Sequence, residues 1–135
     1  MSSLKFIAIL MFTYIQVAAQ CEYSPSSANQ LLGENFITDP NFLEAEVAPL
    51  DSLLFEALWL GNNTYRIATN NSEKEKLNIK LFDENNNLLF DNSEFGLPDA
   101  WTFFVENSMK VNCVVRRIES ARQPNCITIL TGFKK

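Results

Sequence analysis

Between Leu77 and Asn92 the chain reads LNIKLFDENNNLLFDN, and this stretch constrains the fold more than any other. Leu77, Ile79 and Leu81 alternate with Asn78, Lys80 and Phe82, an apolar period of two that belongs to a half-buried β-strand. Asn85, Asn86 and Asn87 then supply a tip, because asparagine tolerates positive φ better than other residues with a side chain. Leu88 and Phe90 bring the return strand onto the face of Leu77, Ile79 and Leu81. The stretch is therefore read as a hairpin, and the fold is organised around it.

The same alternation recurs along the chain. Leu43, Ala45 and Val47 alternate in a strand over Asn41 to Ala48, and Pro49 ends it because proline gives no amide to a ladder. Ser52 to Leu60 is apolar on both faces except for Glu56 and is read as a buried strand, with Thr64 to Thr69 as its hairpin partner across Gly61-Asn62-Asn63. Trp101, Phe103 and Val105, then Val111, Cys113 and Val115, then Cys126 to Phe133 give three more strands. Ahead of them all, Glu22 to Asn35 is read as a short helix or turn in which Ser26 or Ser27 caps and Leu31 and Leu32 share a side before Gly33. The count is seven or eight short strands without strand-helix alternation, which predicts an all-β, antiparallel, jelly-roll-like sandwich.

The first residues have a different character. A lysine at position 5, an apolar run from Phe6 to Tyr14 and small residues at Val17 and Ala19 read as a secretory signal peptide over residues 1–19, leaving residues 20–135 as one domain. The apolar run is shorter than the ~20 residues that a membrane span needs. Lipid anchorage at Cys21 is disfavoured by Gln20, since lipoprotein processing wants a small residue before the cysteine. A secreted or periplasmic destination follows, with a protein or glycan partner in the envelope. The net charge of −5 speaks against nucleic acid as a general partner. The local basic group Arg116, Arg117, Arg122, Lys134 and Lys135 is read as a solvated strand edge, and Glu73 to Lys76 as a solvated loop.

Three cysteines in an exported chain imply one disulfide and one thiol. Cys113 with Cys126 is favoured because both fall in adjacent strands of the sequence, while Cys21 with either stays open.

Chemistry is sparse. The chain has no histidine, which removes Ser-His-Asp and Cys-His nucleophiles and the commonest zinc ligand. There is no glycine-rich phosphate loop, and neighbouring acids such as Asp83 and Glu84 point to opposite faces of a strand. An enzyme is not expected, and no cofactor is, with calcium as the one alternative. Asp83, Asn85, Asn87, Asp91 and Glu94 fall at positions 1, 3, 5, 9 and 12 of a calcium-loop register, although Leu88 stands where that loop turns on glycine and its flanks are strands rather than helices. A polar hairpin tip is the preferred reading, and a calcium-stabilised carbohydrate- or surface-binding module is the alternative function. Phe82, Phe95 and Phe104 fall out of phase with the core face and are expected under a loop or sheet edge. Asn62 and Asn70 begin sequons for N-glycosylation in a eukaryotic source.

From TYRI (Thr64 to Ile67) through LNIKLFDENNNLLFDN the chain resembles the bacterial pre-peptidase C-terminal type of β-sandwich, with Leu77, Ile79 and Leu81 as its aliphatics, Asp83 as its turn acid and Leu88-Leu89 as its return. The end of the signal segment, VAAQ, and the Asn-rich loops resemble small secreted proteins of Bacteroidota. The resemblance implies a sandwich with an accessory, non-catalytic role and brings no catalytic residues.

Overall fold

The computed structural model describes Cys21 and residues 30–39, 43–118 and 124–134. The expected signal segment, Ser26, Ser27, Arg122 and Lys135 lie outside these residues. Among the described residues there are nine strands: β1 (Ile37–Thr38), β2 (Leu43–Val47), β3 (Ser52–Trp59), β4 (Asn63–Asn71), β5 (Leu77–Phe82), β6 (Leu88–Asp91), β7 (Ala100–Val105), β8 (Met109–Arg117) and β9 (Asn125–Lys134), with a 3-10 turn at Asn92–Phe95. They form two antiparallel sheets. One runs β1-β9-β4-β7, with β2 pairing the same strand β9 as β1 does, and the other runs β3-β8-β5-β6. The all-β sandwich expected from the alternation is thus the observed fold.

Parity along each strand fills the space between the sheets. Tyr65 and Ile67 from β4, Leu77, Ile79 and Leu81 from β5, Val111, Cys113 and Val115 from β8, and Ile127 and Ile129 from β9 form one buried cluster. Each isoleucine or leucine so buried contributes roughly 1.5–3 kcal/mol relative to exposure.

The expected hairpin of β3 with β4 does not form. β3 pairs β8 along its whole length, Ser52 opposite Arg116 through Trp59 opposite Met109, while β4 pairs β7 and β9 in the other sheet. The link is a corner between sheets. Asn62 takes φ 63° there, its amide donates to the Val105 carbonyl at 2.6 Å, and the Tyr65 hydroxyl accepts from the Leu60 amide at 2.8 Å. Gly61 is required by closeness, since a Cβ on it would lie 2.7 Å from the Glu106 carbonyl oxygen. Trp59 and Tyr65 stack across the corner at 5.0 Å. A period of two fixes the face of each side chain but does not say which strand lies alongside.

The hairpin β5–β6 forms as expected, with one change. The ladder bulges between Leu81 and Phe82, so Phe90 sits opposite Leu81 while Leu88 sits opposite Phe82. The extra residue reverses the parity of Leu88, which is exposed rather than part of the core. At the tip Asn86 takes φ 60°, as its residue type foretells.

The outer face of the β1-β9-β4-β7 sheet is covered. Residues 30–32 are helical, Gly33 follows at φ 84°, and Leu32 packs with Ala68 and Leu130 in a second buried cluster flanked by Leu31, Phe36 and Ala100. Phe36 lies beneath two cations, with Lys134 Nζ 5.0 Å and the Arg66 guanidinium 5.8 Å from its ring centre. Cys21 is bonded to Cys126, with Cα atoms 5.6 Å apart, and this corrects the expectation of Cys113 with Cys126. Cys126 alternates with the inward Asn125 and Ile127, so its sulfur emerges on the outer face; Cys113 points into the core of the opposite sheet and remains a buried free thiol. A sulfur held in a disulfide has no valence left for a lipid thioether, and such a bond belongs to an oxidising compartment.

One end of the sandwich is closed by charge. Arg117, fully buried, donates from Nε and NH2 to both carboxylate oxygens of Glu75 at 3.0 and 2.6 Å and from NH1 to the Val47 carbonyl at 2.9 Å. It thereby ties β8 to β2 and to the loop after β4. Asn125 and Asn71 extend the seam, Asn125 Nδ2 donating to Asn71 Oδ1 at 3.0 Å and Asn71 Nδ2 to the Glu75 carbonyl at 2.8 Å. Arg117 and Glu75 therefore depart from the solvated edge and loop expected of them, whereas Arg116 and Lys134 are exposed. Arg117 shares the parity of Cys113 and Val115, which is the sequence signal of its inward course.

Candidate binding cleft

The opposite end of the sandwich is apolar and open. Where β3 ends at Trp59 and the β7–β8 turn begins, a cleft of about 580 Å³ is lined by Trp59, Leu81, Leu89, Phe103 and the run Phe104 to Met109. Its floor is close-packed: Trp59 is buried between Tyr65 and Phe103, with ring centres at 5.0 and 5.7 Å. The turn beside it is tied to the corner by the Gly61 amide, which donates to Ser108 Oγ at 2.9 Å. Its rim is exposed, Leu89 at 48 % and Phe104 at 64 %. Among the described residues that line it, Glu106 is the one ionisable group, beside the Asn107 amide and the Ser108 hydroxyl, so these residues bring no acid-base pair together and leave a surface that is mainly aromatic and aliphatic.

Phe104 and Phe95 are both exposed, against the expectation of burial, and Phe82 is half-buried. Phe95 is nevertheless placed, stacking on Phe90 at 5.8 Å and lying at a tilt against Trp101 at 4.6 Å.

The five residues of the calcium-loop register are not brought to one point. Asp83 Oδ1 accepts from the Asn85 and Asn87 amides, both at 2.9 Å, and Oδ2 from Asn87 Nδ2 at 3.0 Å, all within the exposed tip. The Asn87 side chain is the chief reason that the Asp83 carboxyl sits below the ordinary aspartate pKa. Asp91 lies at the other end of β6, opposite Lys80. Its Oδ1 accepts from the Ser93 amide at 3.0 Å, Ser93 Oγ at 2.8 Å and Asn78 Nδ2 at 2.8 Å, and the Ser93 amide is the leading cause of its lowered pKa. Glu94 belongs to the 3-10 turn. Among the described residues no group of three or more His, Cys, Asp or Glu could hold a metal ion.

Asn92 is the residue of this stretch that the sequence did not single out. Fully buried, it accepts from the Ile79 amide at 2.8 Å and donates to the Leu77 and Pro98 carbonyls at 2.9 and 3.2 Å. It fixes the 3-10 turn to β5, a role that no residue-type pattern announces.

A second depression, about 540 Å³, lies between Thr69 to Lys76 and Gly96 to Asp99. Its central groups, Asn71 and Glu75, already serve the Arg117 seam. Among the described residues no helix is long and apolar enough to cross a membrane.

No protein-family model matches the chain, and no curated protein matches it in sequence. No match therefore supports the expected resemblance to the pre-peptidase C-terminal type or to secreted proteins of Bacteroidota; what is shown is the β-sandwich fold. Among solved structures, the chain is similar in fold to PliG of Aeromonas hydrophila, a periplasmic lysozyme inhibitor of g-type lysozyme, at 15 % identity and a TM-score of 0.54 over 70 % of this chain and 85 % of that one.

Proposed function

We propose that this chain is an exported, non-catalytic protein-binding module whose partner is an enzyme of the lysozyme class. The observation that carries the reading is the cleft at the Trp59 end, a close-packed aromatic floor under an exposed apolar rim. Rigid aromatic anchors in a desolvated pocket are where binding energy concentrates at protein interfaces. The fold shared with a periplasmic inhibitor of g-type lysozyme supports the choice of partner.

The test is inhibition of cell-wall lysis. The purified protein, mixed with a g-type lysozyme at equal molarity, is expected to slow the clearing of a cell-wall suspension. Leu89→Lys, on the cleft rim, should weaken inhibition by roughly 10- to 30-fold, the effect of losing about 1.4–2 kcal/mol at a hot spot. Undiminished lysis at tenfold excess would refute the lysozyme partner. Inhibition that Leu89→Lys leaves untouched would move the binding surface away from the cleft.

A further inference from the structure

We propose that this chain pairs with a second copy of itself along the edge of β3 that no described strand pairs, extending the four-stranded sheet into one of eight strands. β3 runs eight residues without proline and in unbroken register with β8. Its exposed side carries two leucines, Leu54 at 60 % and Leu58 at 62 %, and a single charge, Glu56. A long, flat, apolar edge is a template for strand pairing unless something blunts it. β6, at the other edge of that sheet, has four residues and a bulge, and the edge of β9 is divided between the short strands β1 and β2.

The ladder shows which groups are available. The Arg117 amide donates to the Asp51 carbonyl, and antiparallel partners alternate between pairs that exchange hydrogen bonds and pairs that do not. Leu53, Phe55 and Ala57 therefore direct their amides and carbonyls toward β8, while Ser52, Leu54, Glu56 and Leu58 direct theirs toward the free edge. The Ser52 amide is already held by Asp51 Oδ1 at 2.9 Å. Leu54 and Glu56 are the next groups open to a neighbour.

Side chains select one register for an antiparallel copy. With Leu54 on the two-fold axis, Leu54 faces Leu54 of the second copy and each is backed by Val114, its partner on β8. Ser52 then faces Glu56 of the second copy, and Ser52 is flanked on its other side by Arg116. Two strand spacings, about 10 Å, separate that glutamate from that arginine across a small serine, within reach of the arginine side chain, and symmetry repeats the pair. Leu58 comes level with exposed Leu50 of the second copy. An axis through Phe55 instead sets Leu54 against Glu56, and one through Glu56 sets the two glutamates against each other, which is destabilising.

Sedimentation equilibrium on the oxidised protein tests the pairing. A contact of this size belongs to the weak class, so dimers are expected at about 100 µM and monomers well below it. Leu54→Pro removes an outward amide while leaving the β8 ladder whole and is expected to weaken dimerisation more than tenfold. Leu54→Lys, which sets two cations together on the axis, should do the same without touching the backbone. Glu56→Arg and Arg116→Glu should each weaken the dimer, and the two together should restore it. A protein that stays monomeric at about 100 µM overturns the proposal, as does a dimer that both Leu54 variants leave intact.

Discussion

The two outer faces of this sandwich carry similar side chains and meet opposite fates. Leu130 on β9 and Leu58 on β3 each alternate with core residues, yet Leu130 is buried under Leu32 while Leu58 stands in solvent. The difference comes from outside the strands. A segment near the N-terminus, bonded through Cys21, lies over one sheet, and no described segment covers the other. What an outward leucine contributes therefore depends on its cover, and that contrast can be measured.

The largest effect is expected from cutting the cover loose. Cys21→Ser opens a disulfide of sequence separation 105, for which chain entropy gives a loss of roughly 4–5 kcal/mol, read as a fall in the denaturation midpoint. Leu130→Ala should follow, costing about 2–4 kcal/mol by removing transfer energy and leaving a cavity under Leu32. Gly132→Ala should cost about 1–3 kcal/mol, since the new Cβ would meet Leu32 Cδ1 at 3.0 Å, Phe36 Cβ at 3.1 Å and the Ile37 carbonyl at 3.2 Å. On the bare face, Leu58→Thr should change monomer stability by less than about 0.5 kcal/mol; a cost near that of Leu130→Ala would show that this face is covered after all. The smallest effect is expected of millimolar calcium, which should leave the melting temperature unchanged, because the tip carboxylate of Asp83 is already engaged by Asn85 and Asn87.

Alternation in the sequence foretold the strands from β2 onward and the inward faces of β5 and β8, because a pleated strand sends successive side chains to opposite sides whatever its neighbour is. The hairpin β5–β6 was legible through its asparagines, which could take the positive φ of the tip. The corner at Gly61 was not, since a turn that crosses between sheets and one that closes a hairpin draw on the same residues. Leu88 escaped for a different reason: a one-residue bulge reverses parity and leaves no mark in composition. Arg117 was readable in principle, standing two residues beyond Val115 on the inward side. What hid it was the low prior for a buried charge, which here is met by Glu75 and the Val47 carbonyl. The cleft combined both difficulties, because Trp59, Leu89 and Met109 meet only once three separate turns have been placed.

The free thiol of Cys113 has a consequence for the order of events in folding. Cys113 precedes Cys126 in the chain, so an emerging polypeptide offers Cys21 the wrong partner first. Exchange proceeds through the thiolate, and burial pushes the Cys113 thiol up to about 12. Packing of β8 into the core thus silences the competitor, and the correct bond has only to wait for the last strand. Oxidation ahead of that packing would trap Cys113 on the outside, where β8 could not rejoin β3 and β5.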